Sequence, residues 1–404
     1  MTLSHRRQFL SSSLHAGLAL ASSAGLNGLI SQLAYASERD EIAPASIDMH
    51  KIRAAAQQAI ETPATPGLAI CIWQAGLERF SYYAGVANLE QEVAVQADSV
   101  FRIGSLSKQF TAAMILKLVE AKALSLDDPA KKFLPILRNK PSFTVRELLQ
   151  HTAGIHDQDI DPRLLHVGSQ TELVKLVAKQ KKLFDFPSGS AWLYSNSNYF
   201  IAGAIIEQVT TKSLAEAGKD LLFTPLDLRN TGFEVPSQVI QHRVAGYSQN
   251  DKATGTELNA FLNAEYEDMK LNGAAGGMIS TASDLCRWHQ ALFTGKILSK
   301  SSLQSMLSPG LLRNKNKAST HRFSPQDKVM GNANYGLGLW IDEESTIDAS
   351  AIVHHHGGVM GFASMLVSHP QSGLTYAVLC NTDSHPGLPF RDVRRAALAS
   401  VLKR

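Results

Sequence analysis

Cysteine is scarce in this chain of 404 residues: there are three, Cys71, Cys286 and Cys380. So few thiols cannot build a disulfide framework. A dominant charge is also missing. The 39 Lys+Arg stand against 36 Asp+Glu, and setting aside Arg6 and Arg7 shrinks the difference from three to one. No strong field is therefore available for nucleic acid or an anionic surface, and the basic run from Arg313 to Lys328 reads as a solvated loop. Beyond the N-terminal stretch no segment is apolar for long enough to span a bilayer. Internal repeats and low-complexity linkers are absent. So is a Gly-x-Ser-x-Gly elbow, which removes the Ser/His/Asp hydrolase design built on that turn.

What the chain has at its start is Arg6-Arg7-Gln-Phe-Leu10, then an apolar, small-residue stretch from about Leu14 to Leu33, then Ala34-Tyr35-Ala36. This pattern predicts a twin-arginine export signal over residues 1–36, cleaved before Ser37. His15, Gly17, Asn27 and Gln32 interrupt the stretch and favour removal over anchoring. No cysteine follows it to carry a lipid. The expectation is a periplasmic or secreted protein, residues 37–404, without stable membrane insertion.

The most informative internal feature is Ser105-Leu-Ser-Lys108, followed by apolar Phe110, Ala112, Ala113, Met114, Leu116, Leu118 and Val119. On a helix, residues three apart lie one above the other, so Lys108 comes one turn from the Ser105 hydroxyl. A serine hydroxyl needs such a neighbour to take its proton. A helix start would favour negative charge developing on Ser105. Ser107 is the rival nucleophile, but three residues beyond it stands Phe110, which cannot accept a proton. Spacing alone proves little, because Ser400-Val-Leu-Lys403 shares it in what reads as plain helix.

Downstream lie Tyr194-Ser-Asn196 and His355-His-Gly357. The order Ser-x-x-Lys, Tyr-x-Asn, Lys/His-x-Gly resembles that of the penicillin-recognising serine hydrolases, in the branch of class C β-lactamases, D-alanyl-D-alanine carboxypeptidases, D-aminopeptidases and related esterases. Leu148 to Ile155, Phe186 to Asn196, Gly276 to Leu285 and Tyr335 to Trp340 are similar to that family's connecting segments. The resemblance covers nearly everything after about residue 45.

The resemblance implies roles for these residues. Ser105 is the expected nucleophile of an acyl-enzyme, and Lys108 either takes its proton, once burial beside other cations lowers a pKa ordinarily near 10.4, or steadies the alkoxide with its charge. Tyr194 is the second proton carrier, made basic by the charge of Lys108. Asn196 can bond both Lys108 and a substrate amide, or cap the helix running to about Thr211. The family strand His-x-Gly-Gly-x-x-Gly-Phe matches His355 to Phe362, and strand alternation then puts His355 in the cleft with His354 and His356 behind. His355 is expected to titrate near 6.5. Gly357 lets a substrate backbone lie along the strand as an added edge, and the Ser105 and Gly358 N–H groups form the expected oxyanion hole. His151 reads as structural. A metal site at the three histidines is disfavoured, since alternation leaves only two on one face. No cofactor is expected. The family fold makes the strands of Cys71 and Cys380 neighbours, leaving open a bridge or, favoured, two small buried thiols.

The fold class expected is α+β: an antiparallel sheet built from both chain ends and flanked by helices, with an inserted helical subdomain. The α/β part is placed at about 45–104 and 285–404, the helical part at about 105–284. Histidine at position 355, where class C β-lactamases carry lysine, points away from efficient penicillin hydrolysis. The function expected is hydrolysis of an amide or ester, foremost in a D-amino-acid-containing peptide. A carboxylesterase, a weak β-lactamase, and a non-catalytic cell-wall or β-lactam binding protein are the alternatives. The partner is a small-molecule or peptide substrate.

Overall fold

The computed structural model describes residues 47–157, 168–251, 256–323, 333–342, 351–383 and 385–399. The export signal read at residues 1–36 and the Ser400–Lys403 repeat of the serine–lysine spacing lie outside them.

Both ends of the chain meet in one eight-stranded antiparallel sheet. Its strands are β1 (Gly67–Gln74), β2 (Leu77–Asn88), β3 (Val93–Ala94), β9 (Asn334–Tyr335), β10 (Trp340–Ile341), β11 (Val353–Val359), β12 (Phe362–His369) and β13 (Leu374–Cys380), in the order β3-β2-β1-β13-β12-β11-β10-β9. Between β3 and β9 the chain forms shorter strands. β4 (Phe101–Arg102), β8 (Met278–Ser280) and β5 (Gly232–Phe233) make a small sheet, and β6 (Tyr247–Asp251) pairs with β7 (Thr256–Asn263).

The near-continuous apolar reading of β1 follows from burial on both faces. Leu68, Ile70 and Ile72 join one core with α1 (Met49–Glu61) and α10 (Phe390–Leu398), while Ala69 and Cys71 join the other. That second core lies under the helices α2 (Ser107–Glu120), α3 (Val145–Leu149), α4 (Gln170–Lys179), α5 (Asn196–Thr210), α6 (Leu214–Gly218), α7 (Met269–Gly276), α8 (Ala282–Phe293) and α9 (Lys300–Leu307). Cys71 pairs in register with Ala377 and Cys380 with Leu68, so an odd offset turns the two thiols to opposite faces. All three cysteines are free and buried.

Local signals in the sequence set several boundaries. Thr144 and Glu147 form the capping box of α3, and Thr281 accepts the Asp284 N–H to start α8. The stretch from Tyr335 to Ile341 forms not one strand but the ends of two short strands around a turn. Gly338 allows that turn at φ +80°, and a Cβ there would lie 2.6 Å from the Lys108 carbonyl oxygen. The turn therefore presses directly on the start of α2. The region read as predominantly helical also contains the β5–β8 segments; β5 and β8 have two and three residues, too short for periodicity to register, whereas the β6–β7 hairpin was missed.

Candidate active site

Ser105 sits in a 3-10 turn, Gly104–Leu106, that runs straight into α2. Gly104 has φ +50°, and a Cβ on it would lie 2.7 Å from the Gly358 nitrogen, so this turn packs against β11 with nothing between. The contact sets the two candidate oxyanion donors on adjoining backbone. Ser107, the rival, is fully buried; its hydroxyl donates to Gly104 O and accepts from Met278 N.

Lys108 has no exposure at all, although it is a lysine. Its Nζ lies 3.0 Å from Ser105 Oγ, 2.7 Å from Asn196 Oδ1 and 2.8 Å from the Ala275 carbonyl oxygen. Ala275 can accept because α7 kinks at Gly273 and ends there, leaving its last carbonyls without helical partners. Thr111 takes the neighbouring Ala274 carbonyl in the same way, at 2.7 Å. The Lys108 ammonium also stands 4.8 Å from the Tyr194 ring centroid and 5.5 Å from that of Tyr199. Burial pushes its pKa down to about 7, against the opposing pull of Asp157.

Tyr194 is partly buried, and desolvation drives its phenol upward, with a hydrogen bond to Ser105 only partly offsetting this. The resting side chain is therefore a phenol. His151 stacks beneath it, ring centroids 4.3 Å apart, and accepts the Ser195 N–H on Nδ1 at 3.1 Å. Burial, with Lys108 and His355 adding to it, keeps His151 neutral.

The structure turns His355 toward Tyr194, with ring centroids 6.2 Å apart, whereas His354 and His356 face each other at 5.7 Å on the opposite side. His355 Nδ1 lies 2.6 Å from the His356 carbonyl oxygen and so carries the proton, leaving Nε2 to accept from the Tyr335 hydroxyl at 3.1 Å. Burial first, then the nearby Lys108, holds its pKa well below the ordinary 6.5. This corrects the expectation that His355 titrates in the working range; the group poised there is Lys108.

Asn196 is the first residue of α5, not its cap. Ser195 occupies the cap position without a side-chain bond to the helix. The helix start is held by Asp157 instead, whose Oδ1 accepts the Asn196 and Ser197 N–H groups at 2.7 and 3.3 Å. The two glycines differ in the space beside them. A Cβ at Gly357 would meet Ile103 O at 2.1 Å, so it is Gly357 that packs inward, while Gly358 faces open space. β10 pairs with β11 only at Val353 and His354, so the β11 edge beyond His354 has no partner strand among the described residues.

Sequence reasoning missed Asp157, the Tyr335 hydroxyl and the Ala275 carbonyl. Tyr335 lay in a segment already noted for its glycines. Nothing near Asp157 signalled a bond to residues 39 positions away. Among the described residues no group of His, Cys, Asp and Glu is placed to hold a metal.

A sheet with a helical layer, bearing a buried serine–lysine pair, a Tyr-x-Asn turn and a glycine-rich strand, defines the class. The family profile described as Beta-lactamase matches residues 52–400, and the chain belongs to that family. Penicillin-binding protein 4* of Bacillus subtilis is 27% identical over 310 residues, which are 74% of this chain and 64% of that relative. The chain thus spans just under two thirds of that relative's length. The D-stereospecific amidohydrolase of Streptomyces sp. superposes with TM-score 0.69 at 27% identity, covering 87% of this chain and 98% of that one. The D-amino acid amidase of Ochrobactrum anthropi SV3 superposes at 0.73, with 23% identity and 87% and 99% coverage, a likeness of fold alone.

Proposed function

We propose that this protein is an exported serine hydrolase that cleaves amides or esters through an acyl-enzyme on Ser105, with a D-amino-acid-containing peptide or amide as the foremost substrate. The observation that carries this reading is a fully buried Lys108, with a pKa near 7, whose Nζ lies 3.0 Å from the Ser105 hydroxyl. Neutral Lys108 takes the Ser105 proton as Oγ bonds to the substrate carbonyl carbon and the carbonyl π pair moves onto oxygen. The N–H groups of Ser105 and Gly358 receive that oxyanion. The Tyr194 phenol then gives its proton to the departing nitrogen or oxygen as the pair of the breaking bond leaves. Lys108 returns a proton to Tyr194. Water repeats the sequence with the acyl group on Ser105 as the electrophile.

The amide preference draws on the D-stereospecific amidohydrolase named above and on the neutral His355, which supplies no fixed charge for a free carboxylate. That neutrality also favours small esters as the second reading. Export rests on the Arg6-Arg7 pattern and Ala34-Tyr35-Ala36. The same reading takes residues 37–404 as one β-lactamase-related domain, its α/β part about 45–104 and 285–404 and its helical part about 105–284.

The test is a panel of D-amino-acid amides, muropeptides, short-chain esters and cephalosporins, read together with intact mass. Steady product release that Ser105→Ala abolishes supports the enzyme. A lasting mass increase on Ser105 without turnover supports a non-catalytic binding protein. Turnover retained by Ser105→Ala above a trace removes the nucleophile assignment.

A further inference from the structure

Asp157 lies two residues beyond the Leu148–Ile155 segment, and its carboxylate reaches back into the candidate site. Oδ1 accepts from the Asn196 and Ser197 N–H groups and, at 3.5 Å, from the Ser195 hydroxyl; Oδ2 accepts from Asn196 Nδ2 at 3.2 Å. An ionised carboxylate has acceptors and no donors. The Asn196 amide can therefore present only its NH₂ to Asp157, which leaves Oδ1 toward Lys108. The consequence reaches the nucleophile. Neutral Lys108 has two N–H bonds and one lone pair, and it has three neighbours: Ser105 Oγ, Asn196 Oδ1 and Ala275 O. Two of these accept and cannot donate. Only the Ser105 hydroxyl has a proton to offer, so the lone pair has one place to point.

Resting on the hydrolase reading above, we propose that Asp157 is a positioning residue: it fixes the Asn196 amide with its oxygen toward Lys108 and thereby aims the Lys108 lone pair at the Ser105 proton. The proton moves from Oγ to Nζ as the Oγ–carbon bond forms, and the charge on Asp157 is unchanged throughout. Were the amide reversed, its NH₂ would face Lys108. The lone pair would then be drawn to that donor, and Ser105 would lose its base.

Asp157 also sets the electrostatics. The groups around Lys108 are Ser105, the phenols of Tyr194 and Tyr199, neutral His151 and His355, and Tyr335 behind His355. Asp157 is the carboxylate acting on Lys108, and it favours the ammonium. Burial raises Asp157 itself, with Lys108 and the Asn196 and Ser197 N–H groups pulling the other way.

The experiment is a four-member cycle of the full chain: wild type, Asp157→Asn, Asn196→Asp, and both together, assayed on a chromogenic short-chain ester across pH. Asp157→Asn keeps an oxygen for the helix N–H groups but sets NH₂ against NH₂. It is expected to lower kcat/KM roughly 10- to 100-fold by analogy with other single proton-path supports, and to move the acidic limb to lower pH because the anion that favours the ammonium is gone. The double swap places a carboxylate oxygen, again an obligate acceptor, against Lys108. It is expected to recover at least about tenfold over either single variant, with the limb displaced to higher pH. A cap that merely holds α5 would move neither limb. Asp157→Asn with wild-type kcat/KM and an unmoved limb overturns the proposal. So does a double variant no faster than both singles; should Asp157→Asn fail to fold, comparison of the double variant with Asn196→Asp decides alone. If wild type shows no Ser105-dependent turnover of any ester, amide, muropeptide or cephalosporin of the panel, the hydrolase reading has failed instead. An active wild type with an indifferent cycle condemns only the role of Asp157.

Discussion

His355 and His354 are neighbours on β11, yet one turns its ring to Tyr194 and Tyr335 and the other to Asp342, which also binds Arg394. On the rear side, burial alone would raise the Asp342 carboxyl, but His354 Nε2 at 3.0 Å and the Arg394 guanidinium overcome it and hold it down. Fixed charges there tie α10 to the sheet. On the front side burial meets little countercharge and drives each group toward its neutral form: Lys108 down, His151 and His355 down, Tyr194 and Tyr335 up. The same strand thus faces an ion-paired clasp on one side and the proposed proton relay on the other. What separates them is whether a buried group finds an opposite charge or only hydrogen-bonding neighbours.

The sharpest way to break this contrast is at Lys108. Lys108→Met is expected to cost roughly 10⁴-fold in kcat/KM, because serine, lysine and tyrosine act as one unit. Stability supplies a second readout with a defined sign. An unfolded lysine keeps its proton up to about 10.5, whereas the folded one releases it near 7. Between these values the unfolded chain binds more protons, so this lysine's contribution to stability rises with pH, by at most about 1.4 kcal/mol per unit. The wild type minus Lys108→Met difference should move toward wild type from pH 7 to 10 and stay flat below pH 6. A flat difference throughout means that Lys108 is charged in the folded protein.

Gly357 and Gly358 sharpen the contrast at smaller cost. A Cβ at Gly357 meets Ile103 O at 2.1 Å and Ser364 Oγ at 2.3 Å, whereas at Gly358 it meets nothing within 4 Å. Gly357→Ala is therefore expected to lose about 1–3 kcal/mol of stability to overpacking. Gly358→Ala should stay within about 0.5 kcal/mol of wild type while raising KM, since its methyl enters the open space beside the Ser105 turn. Chemical denaturation of the two variants reads this directly. Equal losses would mean that β11 stands differently against that turn.

Much of this arrangement was legible beforehand because it is local. Ser105 and Lys108 meet through helix geometry, and the alternation of β11 separates His355 from its neighbours by backbone alone. The lowered pKa of Lys108 was expected from burial, but the charge states of the histidines were not legible. Nothing in the His354-His-His356 run says that Tyr335 would cover one ring and Asp342 another, since β9, β10 and β11 come together only in the folded sheet. The cap role open to Asn196 fails because α5 begins one residue earlier than that role requires, and Asp157 does the capping from a distant loop. Cys71 and Cys380 were correctly placed on neighbouring strands; their opposite faces needed the register.

The smallest expected effects fall on the histidines themselves and decide which group owns the acidic limb of the rate profile. His355 is buried with both ring nitrogens bonded, and burial and Lys108 together keep it neutral. His355→Asn should remove the acceptor for Tyr335 and lower kcat/KM by about 10-fold, a typical cost for a supporting bond. The limb near pH 7 should nevertheless remain, because the proton lost there belongs to Lys108. His356, exposed on the rear beside Phe390, should tolerate alanine with activity within about twofold. The two variants together separate position from titration. If the limb vanishes in His355→Asn, histidine is the titrating group and the burial argument for Lys108 fails. If His356→Ala loses more activity than His355→Asn, the two faces of β11 have been exchanged, and the relay drawn through Tyr194 goes with them.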